Sequence, residues 1–318
     1  MLVLGADLAR VKETIKGIAQ QWEIKDLGDV GQILGLQVSR DRQKRTLRLT
    51  QEPYIRALVR QFGLEDSKPI NTPISDRNTV ASPAKDEAEA DQSRYQSSVG
   101  MVMWVARGSR FDVQYLIGQL SQYCNNPTIR HWNAIQRLIR YLNGTADYGI
   151  EYGGKGLSGH QLQGYCDADY AGDTSDQRST SGYLFILGGG PITWTSVKQR
   201  SVSTSTTESE YMALSEACKQ GYWIRALLGE LNRYQYLPKS RATPIFSDNQ
   251  SCIALAKDPI AHSRTKHIDV RYHYIRELVS FGKVAVDYIP TEDMKADILT
   301  KPLPFVAFKR CIGGLLGP

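Results

Sequence analysis

The chain has 318 residues, a formal net charge of +6 at pH 7 and a hydrophobic share of 41%. This length and composition allow a sizeable core, and we expect two packed units. No stretch approaches the roughly 18 apolar residues of a membrane span, and the N-terminus lacks the features of a signal peptide. The five cysteines are scattered and the five histidines show no zinc-ligand spacing. We therefore predict reduced, buried thiols in a cytosolic protein without zinc.

The first part of the chain alternates helical and extended patterns. Apolar residues at helical spacing predict a helix over residues 6–22, and residues 32–38 and 46–50 predict two strands joined by a charged turn. A second helix is predicted from about residue 52 to 62. Residues 67–91 contain three prolines and an acidic run, which are typical of a surface linker.

Helical spacing dominates residues 94–143, where three helices are predicted: 95–107, 111–124 and 128–142. After residue 150 the pattern changes to short strands alternating with helices. The predicted order is strands 161–170, 182–187 and 191–196, helix 208–231, strand 243–247, helices 249–256 and 266–281, strand 283–288 and a final helix from Glu292. This order predicts a mixed α/β layer.

Four carboxylates stand in four different predicted elements of this layer: Asp167, Glu210, Asp248 and Asp297. Acidic groups brought together from separate elements repel one another unless cations lie between them. A paired-metal site that hydrolyses a phosphodiester is the simplest explanation for such a set.

Each carboxylate also has a structural alternative. Asp167 could belong to a polar sheet edge. Glu210 follows Thr207 at the spacing of a capping box and could cap its own helix. Asp248 could be the N-cap of the next helix, and Asp297 could be a solvated helix residue.

Residues 160–302 resemble the RNase H domain of copia-type LTR-retrotransposon Pol polyproteins. The resemblance is carried by six segments: Gly164–Asp173, Ser179–Tyr183, Ser205–Leu214, Ser247–Asn249, Arg264–His273 and Ala296–Lys301. It implies a five-stranded mixed sheet with flanking helices. It also implies that the four carboxylates are catalytic and hold two Mg²⁺ ions, for which Mn²⁺ can substitute.

The resemblance implies endonucleolytic cleavage of the RNA strand of an RNA–DNA hybrid. A protein can tell the two strands apart through the 2′-hydroxyl, which only RNA carries. Such proteins act in a cytoplasmic retrotransposon particle or in the nucleus. Several basic residues are candidates for phosphate contacts, although an ordinary solvated basic face is an equally good explanation. They are Lys198, Arg200, Arg264, Lys266, Arg271, Arg42, Lys44 and Arg45.

The N-terminal half also resembles copia-type Pol, in segments Leu27–Val38, Leu49–Tyr54, Asn71–Pro73 and Tyr95–Gly100. We expect a fragment that begins after the polymerase Tyr-x-Asp-Asp motif and therefore does not synthesise DNA; the missing part of Pol would be its partner. The expected organisation is a reverse-transcriptase palm and thumb remnant over 1–74, an acidic linker over 75–93, a helical connection region over 94–150, an RNase H domain over 155–304 and a C-terminal tail over 305–318.

One feature departs from the family pattern. The loop before the last carboxylate, residues 289–294, lacks the histidine that RNase H enzymes often carry, so we expect Glu292 to replace it or catalysis to be slower. A non-enzymatic alternative also stays open, in which the chain is an inactive, nucleic-acid-binding relic. An integrase-type nuclease is excluded, because that group carries a glutamate as its last acidic residue.

Overall fold

The computed structural model describes the chain except for residues 6, 75, 155–160, 174, 232, 234–235, 238–241 and 258–268, and it describes only the backbone of residues 269–272. Helix α1, Leu8–Gln21, begins at Asp7, whose side chain accepts a hydrogen bond from the N–H of Ala9. None of its residues is buried. Its apolar stripe is therefore not covered by the described part of the chain.

A four-stranded antiparallel sheet follows, in the order β1-β2-β3-β4. The predicted single strand over 32–38 is wrong: it forms two antiparallel strands, β1 (Gln32–Ile33) and β2 (Leu36–Asp41), because Leu34 and Gly35 adopt positive φ and turn the chain. Strand β3 (Thr46–Thr50) matches the second predicted strand. Strand β4, Ile150–Gly153, pairs with β3 from a hundred residues further along the chain. The sequence does not predict β4, because four residues are too few to show a period.

Helices α2 (Glu52–Gln61), α3 (Gln92–Gly108), α4 (Gln114–Ser121) and α5 (Ile129–Gly144) match the predicted helices and pack around one core. The same core includes side chains of the second sheet and of the C-terminus, such as Leu184, Leu299, Phe308 and Leu316. The first half of the chain therefore packs directly on the sheet that carries the carboxylates.

The acidic segment over residues 75–93 is anchored to these helices. It contains a 3₁₀ turn, Arg77–Val80, whose Val80 is buried. Glu87 accepts two hydrogen bonds from the Arg130 guanidinium of α5, and this arginine lowers the pKa of Glu87 to about 2. Arg77 donates to Asp169 at 2.7 Å. The segment thus joins the helices to the second sheet.

The second sheet has five strands in the order β7-β6-β5-β8-β9. Strands β5 (Gln163–Asp169), β6 (Thr180–Leu187) and β7 (Gly190–Lys198) are antiparallel neighbours. Strands β8 (Thr243–Ser247) and β9 (Val284–Tyr288) continue the sheet in parallel with β5. This arrangement confirms the predicted five-stranded mixed sheet with flanking helices.

Helices α6 (Thr206–Glu230), α7 (Gln250–Lys257) and α8 (Asp269–Ser280) pack around a second core, which contains side chains of β5, β6, β8 and β9. At Gly221 a Cβ would lie 3.1 Å from the Phe185 ring, so glycine allows α6 to approach the sheet closely. Four of the five cysteines are buried, as predicted, and all five are free.

The predicted final helix from Glu292 is wrong. The segment forms two 3₁₀ turns, Thr291–Asp293 and Lys295–Leu299, separated by Met294 in an extended conformation with a buried side chain. Burial of Met294 breaks the helix, and Pro302 disfavours helical backbone at the residue before it. A further helix, α9 (Phe305–Ile312), lies within the predicted C-terminal tail, and its Phe308 and Ile312 join the first core.

Candidate active site

Three carboxylates meet at one end of the five-stranded sheet. Asp167 lies in β5, Asp248 follows β8, and Glu210 lies near the start of α6. Each of them offers an oxygen that is within 4.8 Å of the other two. The structure therefore brings together three of the four carboxylates predicted from the sequence.

The register of the sheet explains why two of them meet. Strands β5 and β8 are parallel neighbours, and Tyr165 is paired with Phe246. Asp167 and Asp248 each stand two residues beyond this pair, so they lie at the same level and near the same end of the sheet. Carboxyl ends of adjacent parallel strands are common ligand sites in α/β proteins.

Glu210 does not cap its helix. The capping interactions belong to Glu208, whose Oε2 accepts from the N–H of Thr204 while Ser205 accepts from the N–H of Glu208. Glu210 is only 7% exposed, and its buried Oε2 has no hydrogen-bond partner among the residues that the structure describes. Burial, together with the charges of the other two carboxylates, raises the pKa of Glu210 to about 10.

The N-cap alternative for Asp248 is also wrong. Asn249 accepts the hydrogen bond from the N–H of Cys252 at the start of α7, whereas Asp248 accepts one from the hydroxyl of Thr291. The Asp248 side chain is therefore turned towards the loop after β9.

The fourth carboxylate, Asp297, lies on the 3₁₀ turn Lys295–Leu299. It is 7% exposed, so the solvated-residue alternative is wrong. A Cβ at Gly182, the residue paired with Asp167 on β6, would lie 2.8 Å from both Leu299 and Thr300. Glycine at this position thus allows the turn to cross the sheet beside Asp167. Burial and the charge of Asp167 raise the pKa of Asp297 to about 7.

Two functional candidates next to Asp297 were not singled out from the sequence. The Thr300 hydroxyl donates a hydrogen bond to Asp167 Oδ2. The Lys301 ammonium lies 2.9 Å from Asp297 Oδ1 and 3.4 Å from Asp167 Oδ2. The spacing of Lys301, four residues after an aspartate in the motif Ala296–Lys301, is the sequence feature that could have indicated the ion pair.

The donor set fits a divalent cation. Carboxylate oxygens are the ligands that Mg²⁺ and Mn²⁺ prefer. A buried carboxylate oxygen without a hydrogen-bond donor is costly, and within the described part of the chain Glu210 Oε2 is such an atom. A cation among Asp167, Glu210 and Asp248 would satisfy this oxygen and offset the mutual repulsion that raises the Glu210 pKa.

Comparisons with known proteins place the chain in a family. No model of a known protein family matches the sequence. The chain is 37% identical over 316 residues to the retrovirus-related Pol polyprotein from transposon TNT 1-94 of Nicotiana tabacum, covering 98% of this chain and 23% of that protein. It is 38% identical over 312 residues to the Pol polyprotein from transposon RE2 of Arabidopsis thaliana, covering 97% and 20%. This chain belongs to the copia-type retrotransposon Pol family.

The Pol-family chain spans about a fifth of the length of these relatives. Among solved structures, LC11-RNase H1 in complex with RNA/DNA hybrid is similar at 14% identity and a TM-score of 0.33, covering 44% of this chain and 94% of that one. The foamy viral protease-reverse transcriptase in complex with RNA/DNA hybrid is similar at 15% identity and a TM-score of 0.39, covering 82% and 29%.

In the described part of the Pol-family chain, every helix is too short or too polar to cross a bilayer.

The predicted phosphate contacts of this Pol-family chain have different surroundings. Lys198 lies 2.5 Å from Asp173 and 2.9 Å from Asp176, so its charge is already balanced. Arg200 is exposed. Arg264 and Lys266 lie outside the described residues, as does the side chain of Arg271. These nucleic-acid contacts remain predictions.

A cavity of about 1190 Å³ lies between the first sheet and the turn from β6 to β7. Its lining includes four arginines, Arg40, Arg42, Arg45 and Arg233, and none of the described residues that line it is acidic. Arg42 forms an exposed ion pair with Asp29 at 3.0 Å, and Lys44 lies outside the cavity, 3.7 Å from Asp41. The arginine-lined cavity lies near the end of β6 that points away from the carboxylates, about 20 Å along the strand.

Glu292, the expected replacement for the loop histidine, lies on the exposed 3₁₀ turn Thr291–Asp293. Its carboxylate pairs with Arg310 of α9 at 3.3 Å. In this arrangement the Glu292 carboxylate is already paired with a cation of α9.

Proposed function

We propose that this chain is a metal-dependent endoribonuclease that hydrolyses the RNA strand of RNA–DNA hybrids. The observation that carries the proposal is the cluster of Asp167, Glu210 and Asp248 from three separate elements, with a buried Glu210 oxygen that has no hydrogen-bond donor among the described residues. Family membership and the RNase H-like sheet support a nuclease. The retrotransposon context supports a role during reverse transcription in a cytoplasmic particle, in company with the rest of Pol.

The four carboxylates would together bind two Mg²⁺ ions, for which Mn²⁺ can substitute. When bound, the cations supply an activated water and stabilise the leaving 3′-oxygen. Asp167, Glu210 and Asp248 would hold one ion, and Asp297 together with Asp167 would hold the other. Thr300 orients the Asp167 carboxylate by its hydrogen bond, so that Asp167 would be fixed for binding the metal.

The basic surface supports a nucleic-acid substrate. The arginine-lined cavity offers guanidinium groups that suit phosphates, and exposed ion pairs such as Arg42 with Asp29 are weak enough to exchange partners. Phosphate contacts contribute affinity but no sequence preference, so we expect binding that weakens steeply with salt. We expect no DNA synthesis from this chain.

The test is cleavage of a labelled RNA–DNA hybrid by the purified chain with Mg²⁺ or EDTA, beside single-stranded RNA and duplex DNA. We expect metal-dependent cutting of the hybrid's RNA strand alone. Asp167→Asn should lower the rate by at least about 100-fold with the circular-dichroism spectrum unchanged. Asp287→Asn is the matched control, because Asp287 is a half-exposed strand residue that faces Lys257 at 3.7 Å.

Two outcomes would contradict the enzyme proposal. Cleavage by Asp167→Asn at the parent rate would show that the site is assigned wrongly. Hybrid binding without any metal-dependent cleavage would favour the non-enzymatic relic.

A further inference from the structure

The Lys301 ammonium lies between two carboxylates that belong to the proposed metal site. It is 2.9 Å from Asp297 Oδ1 and 3.4 Å from Asp167 Oδ2. The two aspartate side chains are 10% and 2% exposed, whereas the lysine side chain is 27% exposed. A cation on a mobile stem therefore reaches from the surface into a buried acidic pair.

The chain around Lys301 keeps the ammonium there. Lys301 stands four residues after Asp297, and its backbone N–H donates to the Asp297 carbonyl. The preceding residue, Thr300, donates its hydroxyl to Asp167. One short segment thus contributes an acid, a hydroxyl and an ammonium to the same corner of the site.

The two sides of Asp167 differ in charge balance. On one side are Glu210 and Asp248, neither of which has an ion-pair partner among the described residues. On the other side, the Asp167–Asp297 pair already has the Lys301 ammonium as its counter-ion. An ammonium and a divalent cation cannot both lie between the same two carboxylates, because they overlap and repel each other.

We propose that Lys301 competes with the second divalent cation for the Asp167–Asp297 pair, so that the free protein binds one cation strongly and the second only when the ammonium withdraws. This inference rests on the proposed function, since it concerns the same site. The lysine is a positioning residue, which acts by controlling which cation faces Asp297.

The lysine has a natural alternative partner. Its stem is flexible and its head is a compact point charge, so it can leave the carboxylates at low conformational cost. A substrate phosphate that arrives at the site offers the ammonium a new anion. Hybrid binding should therefore strengthen binding of the second cation, and this couples assembly of the full metal site to the presence of substrate.

The test counts Mn²⁺ ions bound to the full chain without nucleic acid, from the electron paramagnetic resonance signal of free Mn²⁺. For the parent we expect one strong site and a second site at least about tenfold weaker. Lys301→Met removes the charge and keeps the apolar stem. It should reduce the ratio of the two Mn²⁺ dissociation constants, the gap between the sites, by about tenfold. Lys301→Arg, which keeps the charge, should retain the gap.

Lys295→Met is the matched control. Lys295 lies on the same 3₁₀ turn, two residues before Asp297, and the structure records no ion pair for it among the described residues. The Lys295→Met variant should leave both Mn²⁺ dissociation constants unchanged. It therefore separates a general effect of lost positive charge from the specific effect of removing the Lys301 ammonium. The circular-dichroism spectrum and urea midpoint confirm that each variant is folded.

The results separate this inference from the proposed function. Equal Mn²⁺ constants for the parent and Lys301→Met would overturn the inference, even if the parent cleaves the hybrid. A reduced gap in Lys301→Met would support it, even if the parent does not cleave. An equally reduced gap in Lys295→Met would also overturn it, because the effect would then be one of net charge.

Discussion

Glu210 should destabilise the metal-free protein, and the size of this effect follows from its surroundings. Its pKa is raised from an ordinary value of 4.5 to about 10 by burial and by Asp167 and Asp248. Between these two pH values the folded protein binds a proton that the unfolded chain has released. The contribution of Glu210 to the free energy of unfolding therefore falls as the pH rises above 4.5. At pH 7 this contribution is about 3 kcal/mol lower than at pH values below 4.5.

Glu210→Gln removes this cost, because the amide is neutral at every pH and can donate a hydrogen bond to a neighbouring carboxylate. In EDTA at pH 7 we expect the free energy of unfolding to increase by up to about 3 kcal/mol. The gain should be small at pH 5 and larger at pH 8. Urea denaturation followed by circular dichroism at these three pH values measures it.

Two comparisons make the result decisive. Glu216→Gln alters an exposed residue of the same helix, paired with Lys219 at 2.8 Å, and should change stability by less than about 0.5 kcal/mol. With Mg²⁺, the parent should gain stability and Glu210→Gln should gain much less. If Glu210→Gln were no more stable than the parent in EDTA at pH 7, the pKa of Glu210 would not be raised by burial beside Asp167 and Asp248, which is the basis of the proposed metal site.

Two further substitutions test the packing around the site and the core that supports it. Gly182→Ala should destabilise the protein by about 1–3 kcal/mol, because the added Cβ would displace Leu299 and Thr300. It should also lower the rate of hybrid cleavage, because the displaced turn carries Asp297. Asp112→Asn should cost about 3–5 kcal/mol in urea unfolding, because it leaves the fully buried Arg110 without a counter-charge, yet cleavage per folded molecule should stay unchanged.

Matched variants control for both. Gly100→Ala lies in a helix with nothing within 4 Å of the added Cβ, and should stabilise the chain by about 0.5–1 kcal/mol. Tyr141→Phe removes only the hydroxyl that donates to Asp112 and should cost about 1 kcal/mol. A Gly182→Ala variant with parental stability and cleavage would contradict the tight crossing, and a loss under 1 kcal/mol for Asp112→Asn would contradict the buried ion pair.

Local patterns identified most elements but misjudged those that depend on distant partners. Apart from β4, the helices and strands from Glu52 to Tyr288 have periodicities long enough to recognise. Strand β4 has four residues and exists because β3 pairs with it. The segment after Glu292 has helical spacing, but burial of Met294 and the crossing beside Gly182 hold it in two 3₁₀ turns.

The sequence by itself determined the family, the five-stranded mixed sheet and the four acidic positions, because these depend on residue types and on strand and helix order along the chain. The tertiary structure decided which acids meet, since Asp167 and Asp248 are aligned by strand register and Glu210 is buried against them. It also decided that Lys301 faces Asp297 and Asp167 and that Lys198 is balanced by aspartates. Charge balance is a property of distances between side chains, and those distances are set only when the chain is folded.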